Sequence, residues 1–182
     1  MILPDRSASQ VRIGVSLAVP EPYATSLVDA RRRSGDPLAD AIPPHITVVP
    51  PTVVEQTALD DVVAHLAAAA AACPAFDVEL RGPGSFRPVS PVVFADLARG
   101  SEGCVRVEEA VRTGPLDVPL RFEYHPHVTV AHEVPDDALD RASADLDGFV
   151  ASFTVEAVHL FEHGDDGVWR PVRAFPLGGG LA

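Results

Sequence analysis

Cysteine is scarce in this chain. The two present in 182 residues, Cys73 and Cys104, have no CxxC spacing. That excludes a disulfide framework and a clustered-thiolate zinc module; it fits a reducing compartment and assigns both residues to the core. Positive charge is also thin, with 14 basic against 26 acidic residues and a net charge of −12. Only Arg31-Arg32-Arg33 forms a basic run, too little to repay counterion release along a phosphate backbone. Extended nucleic-acid binding is therefore not expected, and a nucleotide ligand would be small or held by a local site. Long apolar runs are missing as well. No stretch reaches the roughly 20 residues that span a bilayer, and Asp5, Arg6 and Arg12 interrupt the N-terminal segment where a signal peptide would need a continuous apolar run. The expectation is a cytoplasmic monomer with no membrane partner. What remains is a chain that is 47% hydrophobic, enough to bury the core of one domain over residues 1–182 or of two small lobes.

Against that background one pattern occurs twice. Pro44-His45-Ile46-Thr47-Val48 is matched by Pro126-His127-Val128-Thr129-Val130, with His127 lying 82 residues after His45. In an extended strand, side chains alternate faces, so each copy presents one imidazole and one hydroxyl on one side and two apolar groups on the other. A separation near half the chain length is what an internal duplication produces.

The surrounding elements support duplication. Val11 to Val19 reads as a strand, Tyr23 to Arg33 as a helix stopped by Gly35-Asp36-Pro37, Ile42 to Val49 as the first His-Thr strand, Thr57 to Ala72 as a helix and Phe76 to Leu80 as a strand. The second half repeats the order: strand Val92 to Leu97, helix Gly103 to Arg112, His-Thr strand Arg121 to His132, helix Pro135 to Leu146 and strand Phe153 to Phe161. A last strand runs from Val168 to Phe175, and Gly178-Gly179-Gly180 reads as a loose tail. Strand-helix-strand-helix-strand twice over predicts an α+β fold of two lobes, about residues 11–86 and 91–175, with two antiparallel sheets facing across a central cleft. Phe122 and Tyr124 are expected on the core face of the second His-Thr strand.

Paired H-x-T motifs in a duplicated α+β chain of this length resemble the two-histidine phosphoesterase superfamily, and within it the 2′-5′ RNA ligase-like branch of RNA 2′,3′-cyclic phosphodiesterases. The resemblance implies metal-independent, cofactor-free hydrolysis of a 2′,3′-cyclic or 2′-5′-linked phosphoester on a nucleotide or RNA end. It implies catalytic roles for His45 and His127 and substrate-binding roles for Thr47 and Thr129. By analogy His127 is the base and His45 the acid, although the symmetry of the halves leaves the reverse open. Two features depart from the family pattern. His132 stands where many members carry an arginine after the second motif, and Val49-Pro50-Pro51 replaces Phe-Leu-Gly after the first.

The residue types suit the chemistry. Opening a cyclic phosphate needs a base for water and an acid for the departing ribose oxygen, and imidazole titrates near working pH. Threonine hydroxyls two residues on could hydrogen-bond non-bridging oxygens. His125 and His132 are further candidates for substrate contact. Phe86 could stack on a base and Arg87 could reach a phosphate, although an ordinary loop role is favoured for both. Trp169 reads as core, His65 as solvent-facing, and His159 and His163 as flanking the cleft or ending a strand. Three rivals stand beside this reading: a zinc site from His125, His127, His132 and Glu133, a non-catalytic nucleotide-binding module, and an RNA 2′-5′ ligase.

Overall fold

In a computed structural model, the structure describes residues 3–120 and 122–178. Eight strands are β1 (Gln10–Ala18), β2 (His45–Glu55), β3 (Phe76–Ser85), β4 (Val92–Arg99), β5 (Val128–His132), β6 (Val150–Val155), β7 (Ala157–His163) and β8 (Trp169–Pro176). Four helices are α1 (Tyr23–Ser34), α2 (Leu59–Ala72), α3 (Ser101–Val111) and α4 (Asp136–Asp145). The α+β class and the duplicated order of elements follow the hydrophobic periodicity of the sequence.

The sheet differs from expectation. All eight strands join in one antiparallel sheet of order β6-β3-β4-β5-β2-β1-β7-β8 instead of two separate sheets. Its two four-stranded halves meet at a single ladder pair, Ile46 with Val128. Nor are the spatial halves the sequence halves: β1 and β2 share a half with the C-terminal β7 and β8, β1 pairing with β7, while β3, from the first repeat, pairs with β4 and β6. A strand predicted as continuous over residues 153–161 breaks at Glu156, so that β6 edges one half while β7 enters the other beside β1.

The second His-Thr strand is also shorter than predicted. Pairing begins only at Val128, and residues 122–127 follow an irregular path, consistent with Pro126 offering no N–H to a ladder. Arg121 lies outside the described residues. Conversely, β2 runs through Pro50-Pro51, which were expected to end it. The register against β1 shifts at that point, from Val15 opposite Val49 to Ile13 opposite Thr52, so the two prolines occupy an irregularity where a ladder N–H is not required.

One face of the sheet is the core. Ile13, Val15 and Leu17 of β1, Ile46 and Val48 of β2, and Val128 and Val130 of β5 are buried together with Leu27, Leu66, Val107 and Leu139 from the four helices. Both cysteines are buried, as expected. His45, Thr47 and Thr129 alternate with those core residues and therefore lie on the opposite face. His65 does not face solvent as expected: its Nε2 lies 2.8 Å from the Val111 carbonyl and fastens α2 to the end of α3.

Ile46 is fully buried at the one pair joining the halves. Ile46→Ala should lower stability by about 2–5 kcal/mol, measured by urea denaturation, because it leaves a cavity where little else can move in.

Candidate active site

The junction strands carry the two motifs. Because β2 and β5 are antiparallel and paired at Ile46 and Val128, one residue either side sets His45 opposite Thr129 and Thr47 opposite His127. Each imidazole is thus cross-strand neighbour to the other motif's threonine, and all four side chains gather on one patch of the non-core face.

Both imidazoles are held in the same way. Nδ1 of His45 lies 2.7 Å from the Pro43 carbonyl, and Nδ1 of His127 lies 2.7 Å from the His125 carbonyl. A carbonyl oxygen only accepts, so in each ring Nδ1 carries the hydrogen, and Nε2 is the lone-pair nitrogen left for chemistry. Burial lowers the pKa of both rings. For His127 the value falls to about 4, chiefly through burial, which outweighs the upward effect of the bond to the His125 carbonyl; the His125 and His45 rings push it down further and Asp96 pulls the other way. Arg31 adds its positive charge to the burial acting on His45. Without ligand, both imidazoles are neutral at pH 7.

The surroundings are unequal. Beside His45 is a small cavity of about 80 Å³ lined by Ser16, Ile42, Thr47, Phe161 and Trp169 among others. Trp169 is buried, as expected, in a small cluster with Ile42 and Phe161 on this face. Beside His127 is a cavity of about 640 Å³ whose lining includes Thr47, Phe86, Val89, Leu120, Phe122 and Tyr124. Thr47 borders both cavities and Thr129 neither.

Phe86 is a site residue whose position in a loop had given little sign of this. Strand β3 runs on to Ser85, and the ring of Phe86 meets His127 edge-on at 4.8 Å and His125 at 5.3 Å between centroids. Phe122 and Tyr124 are not both core: Phe122 is exposed on the cavity rim, whereas Tyr124 packs on the core and donates its hydroxyl to the Thr47 carbonyl at 3.0 Å. The irregular path of residues 122–127 breaks the strand alternation on which the core assignment rested. Of the other histidines considered, His125 lines the larger cavity and His132, at the end of β5, lines neither. His163 is buried, accepting from Arg12 at 2.9 Å and packing on Trp169. Arg87 is turned to Asp140 at 2.8 Å. Among the described residues, no three His, Cys, Asp or Glu side chains come together as a metal-holding group, so His125, His127, His132 and Glu133 are not gathered into the rival zinc site. No helix among them is long and apolar enough to cross a membrane.

This fold and this pair of motifs define a two-histidine phosphoesterase type of protein. The profile of the 2′-5′ RNA ligase superfamily matches residues 19–167, and the chain belongs to that superfamily. A Bacillus licheniformis protein given the provisional name phosphoesterase is 27% identical over 161 residues, covering 87% of this chain and 95% of the relative. A similarly named protein of Halalkalibacterium halodurans is 26% identical over 167 residues, covering 91% and 96%. Among solved structures, Escherichia coli LigT in apo form superposes with a TM-score of 0.71 at 16% identity, covering 93% of this chain and 99% of LigT, which supports the fold.

The depressed pKa of His127 makes stability depend on pH. The unfolded ring takes up a proton near the ordinary value of 6.5 and the folded ring only near 4, so between them the unfolded chain binds more protons and stability falls as pH falls. The drop in urea midpoint between about pH 7 and about pH 5 should be smaller in His127→Gln than in the wild type; an equal drop would place the titration elsewhere.

Proposed function

We propose that this protein is a metal-independent phosphodiesterase that hydrolyses a 2′,3′-cyclic or 2′-5′-linked phosphoester on a nucleotide or RNA end. The observation that carries the reading is the matched pair of imidazoles, each with Nδ1–H tied to a carbonyl two residues upstream and Nε2 left available. Two bare imidazole nitrogens from paired strands suit a phosphorus held between them. Attack on phosphorus proceeds in line, so base and acid act from opposite sides. One imidazole takes a proton from water, the oxygen bonds to phosphorus, the bond to the ribose oxygen breaks, and the other imidazole returns a proton to that oxygen. A phosphomonoester and a free hydroxyl result.

The site's neutrality fits an anionic substrate. Two half-buried neutral imidazoles leave the empty site without imidazolium charge, and a bound phosphodiester anion raises the pKa of its neighbours, so the acid acquires its proton where the substrate lies. The hydroxyls of Thr47 and Thr129 are assigned to the non-bridging oxygens. The 640 Å³ cavity beside His127, with Phe86, Phe122 and Tyr124 in its lining, supports placing a nucleobase there. At about 80 Å³, the cavity beside His45 is much the smaller of the two and has room for water. Crystal structures of E. coli LigT with 3′-AMP, NADP+ and ATP are consistent with nucleotide recognition on this fold.

The reading is tested by turnover of 2′,3′-cyclic nucleotides and of a 2′-5′-linked dinucleotide in the presence of a chelator. Wild type should hydrolyse at least one of them, and His45→Ala or His127→Ala should each reduce kcat by about 10²–10⁴-fold, the usual worth of a general acid or base. Turnover that disappears in chelator would count against metal independence. Nucleotide binding without turnover would identify a sensor on the same fold.

A further inference from the structure

The segment that delivers His45 is held carbonyl by carbonyl. The Ala41 carbonyl accepts from the Trp169 N–H at 3.0 Å, and the Pro44 carbonyl accepts from the Val19 N–H at 3.2 Å. Between them, the Pro43 carbonyl accepts from His45 itself, and the Ile42 carbonyl accepts from Nη1 of Arg31 at 3.2 Å. Among the described residues, Arg31 is therefore the one side chain, apart from His45, that donates to these four successive carbonyls.

Arg31 reaches this position from the last turn of α1, and burying its charge requires a counter-charge. Gly35, at φ +76°, ends α1 in the left-handed conformation and turns the chain so that Asp36 comes back beside Arg31. Asp36 Oδ2 accepts from Nη2 at 2.9 Å and from Nε at 3.3 Å, and both residues are buried, at 3% and 5% exposure. The other oxygen, Oδ1, accepts from the Leu38 N–H at 2.8 Å. The pair thus grips the connection from Asp36 to Pro44 at both ends. Two of its guanidinium nitrogens are spent on Asp36 and the third on the backbone one peptide before the carbonyl that orients His45.

Resting on the phosphodiesterase reading above, we propose that Arg31 is a positioning residue for His45: clamped by Asp36, it fixes the Ile42–His45 backbone and with it the His45 ring. The charged and titratable groups facing His45 are Arg31 from α1, its partner Asp36 from the following turn, and His127 from the flank of β5. The cation favours a neutral imidazole at His45.

The test compares Arg31→Lys, Arg31→Met and the double variant Arg31→Met with Asp36→Asn, which removes both charges while keeping an oxygen for Leu38, each checked for folding by thermal denaturation. Steady-state kinetics on the cyclic nucleotide turned over by wild type should show kcat reduced at least about tenfold in all three, with KM within about twofold, since misplacing a catalytic group costs rate rather than ground-state binding. In Arg31→Met the limb of the pH profile set by His45 should move to higher pH, because His45 loses a neighbouring cation. In Arg31→Lys, which keeps the charge, it should stay near its wild-type position. The His45 imidazole, followed by NMR, should show the same displacement without any substrate. A folded variant of either charge-removing kind with wild-type kcat, or a His45 midpoint unmoved in Arg31→Met, would overturn the proposal. Should wild type turn over no phosphodiester, the function above fails while the NMR titration still judges the clamp.

Discussion

The structure depends on one antiparallel pairing, Ile46 with Val128. It fuses two four-stranded halves into a continuous sheet, and the strand alternation that buries Ile46 and Val128 also lifts His45, Thr47 and Thr129 to the other face. Core and site are therefore set by the same register. A slip of one residue between β2 and β5 would bury the imidazoles among leucines and valines and expose the core positions, so hydrophobic burial on one face enforces the chemistry on the other.

A second constraint acts within each ring. An imidazole offered to phosphate must present a defined nitrogen, and here the backbone supplies the definition. Pro43 and His125 each provide a carbonyl two residues before the ring, fixing the tautomer without an acidic partner. A carboxylate in that place would raise the imidazole pKa and draw protons into the empty site. A neutral carbonyl orients the ring and leaves burial to dominate its pKa.

Much of this was legible in the sequence. The repeated Pro-His-apolar-Thr-apolar pattern carried both faces of the junction strands, and periodicity located the helices and most of the strands. Three kinds of feature were not legible, each for a physical reason. Strand partners across the sheet depend on long-range pairing, so nothing local revealed that β3 would leave its own repeat for β4 and β6. Irregular backbone defeated alternation at residues 122–127, which moved Phe122 from the predicted core to the rim of a cavity. And Phe86 reached His127 because β3 outran its hydrophobic pattern to Ser85, through Gly82-Pro83-Gly84, a stretch with the composition of a loop. Arg31 was equally hidden, one of three consecutive arginines of which it is buried while Arg32 and Arg33 make exposed ion pairs.

Duplication creates two chemically equivalent histidines, whereas hydrolysis needs two inequivalent ones. A symmetric pair of neutral imidazoles has no built-in direction: either could take the proton of water. The inequality must come from outside the motifs, and it is there that the halves differ. A buried guanidinium stands near one histidine, and the cavity beside that histidine is about 80 Å³ against about 640 Å³ beside the other. The repeat supplies the matched pair of imidazoles, and the non-repeated loops around them make their surroundings unequal.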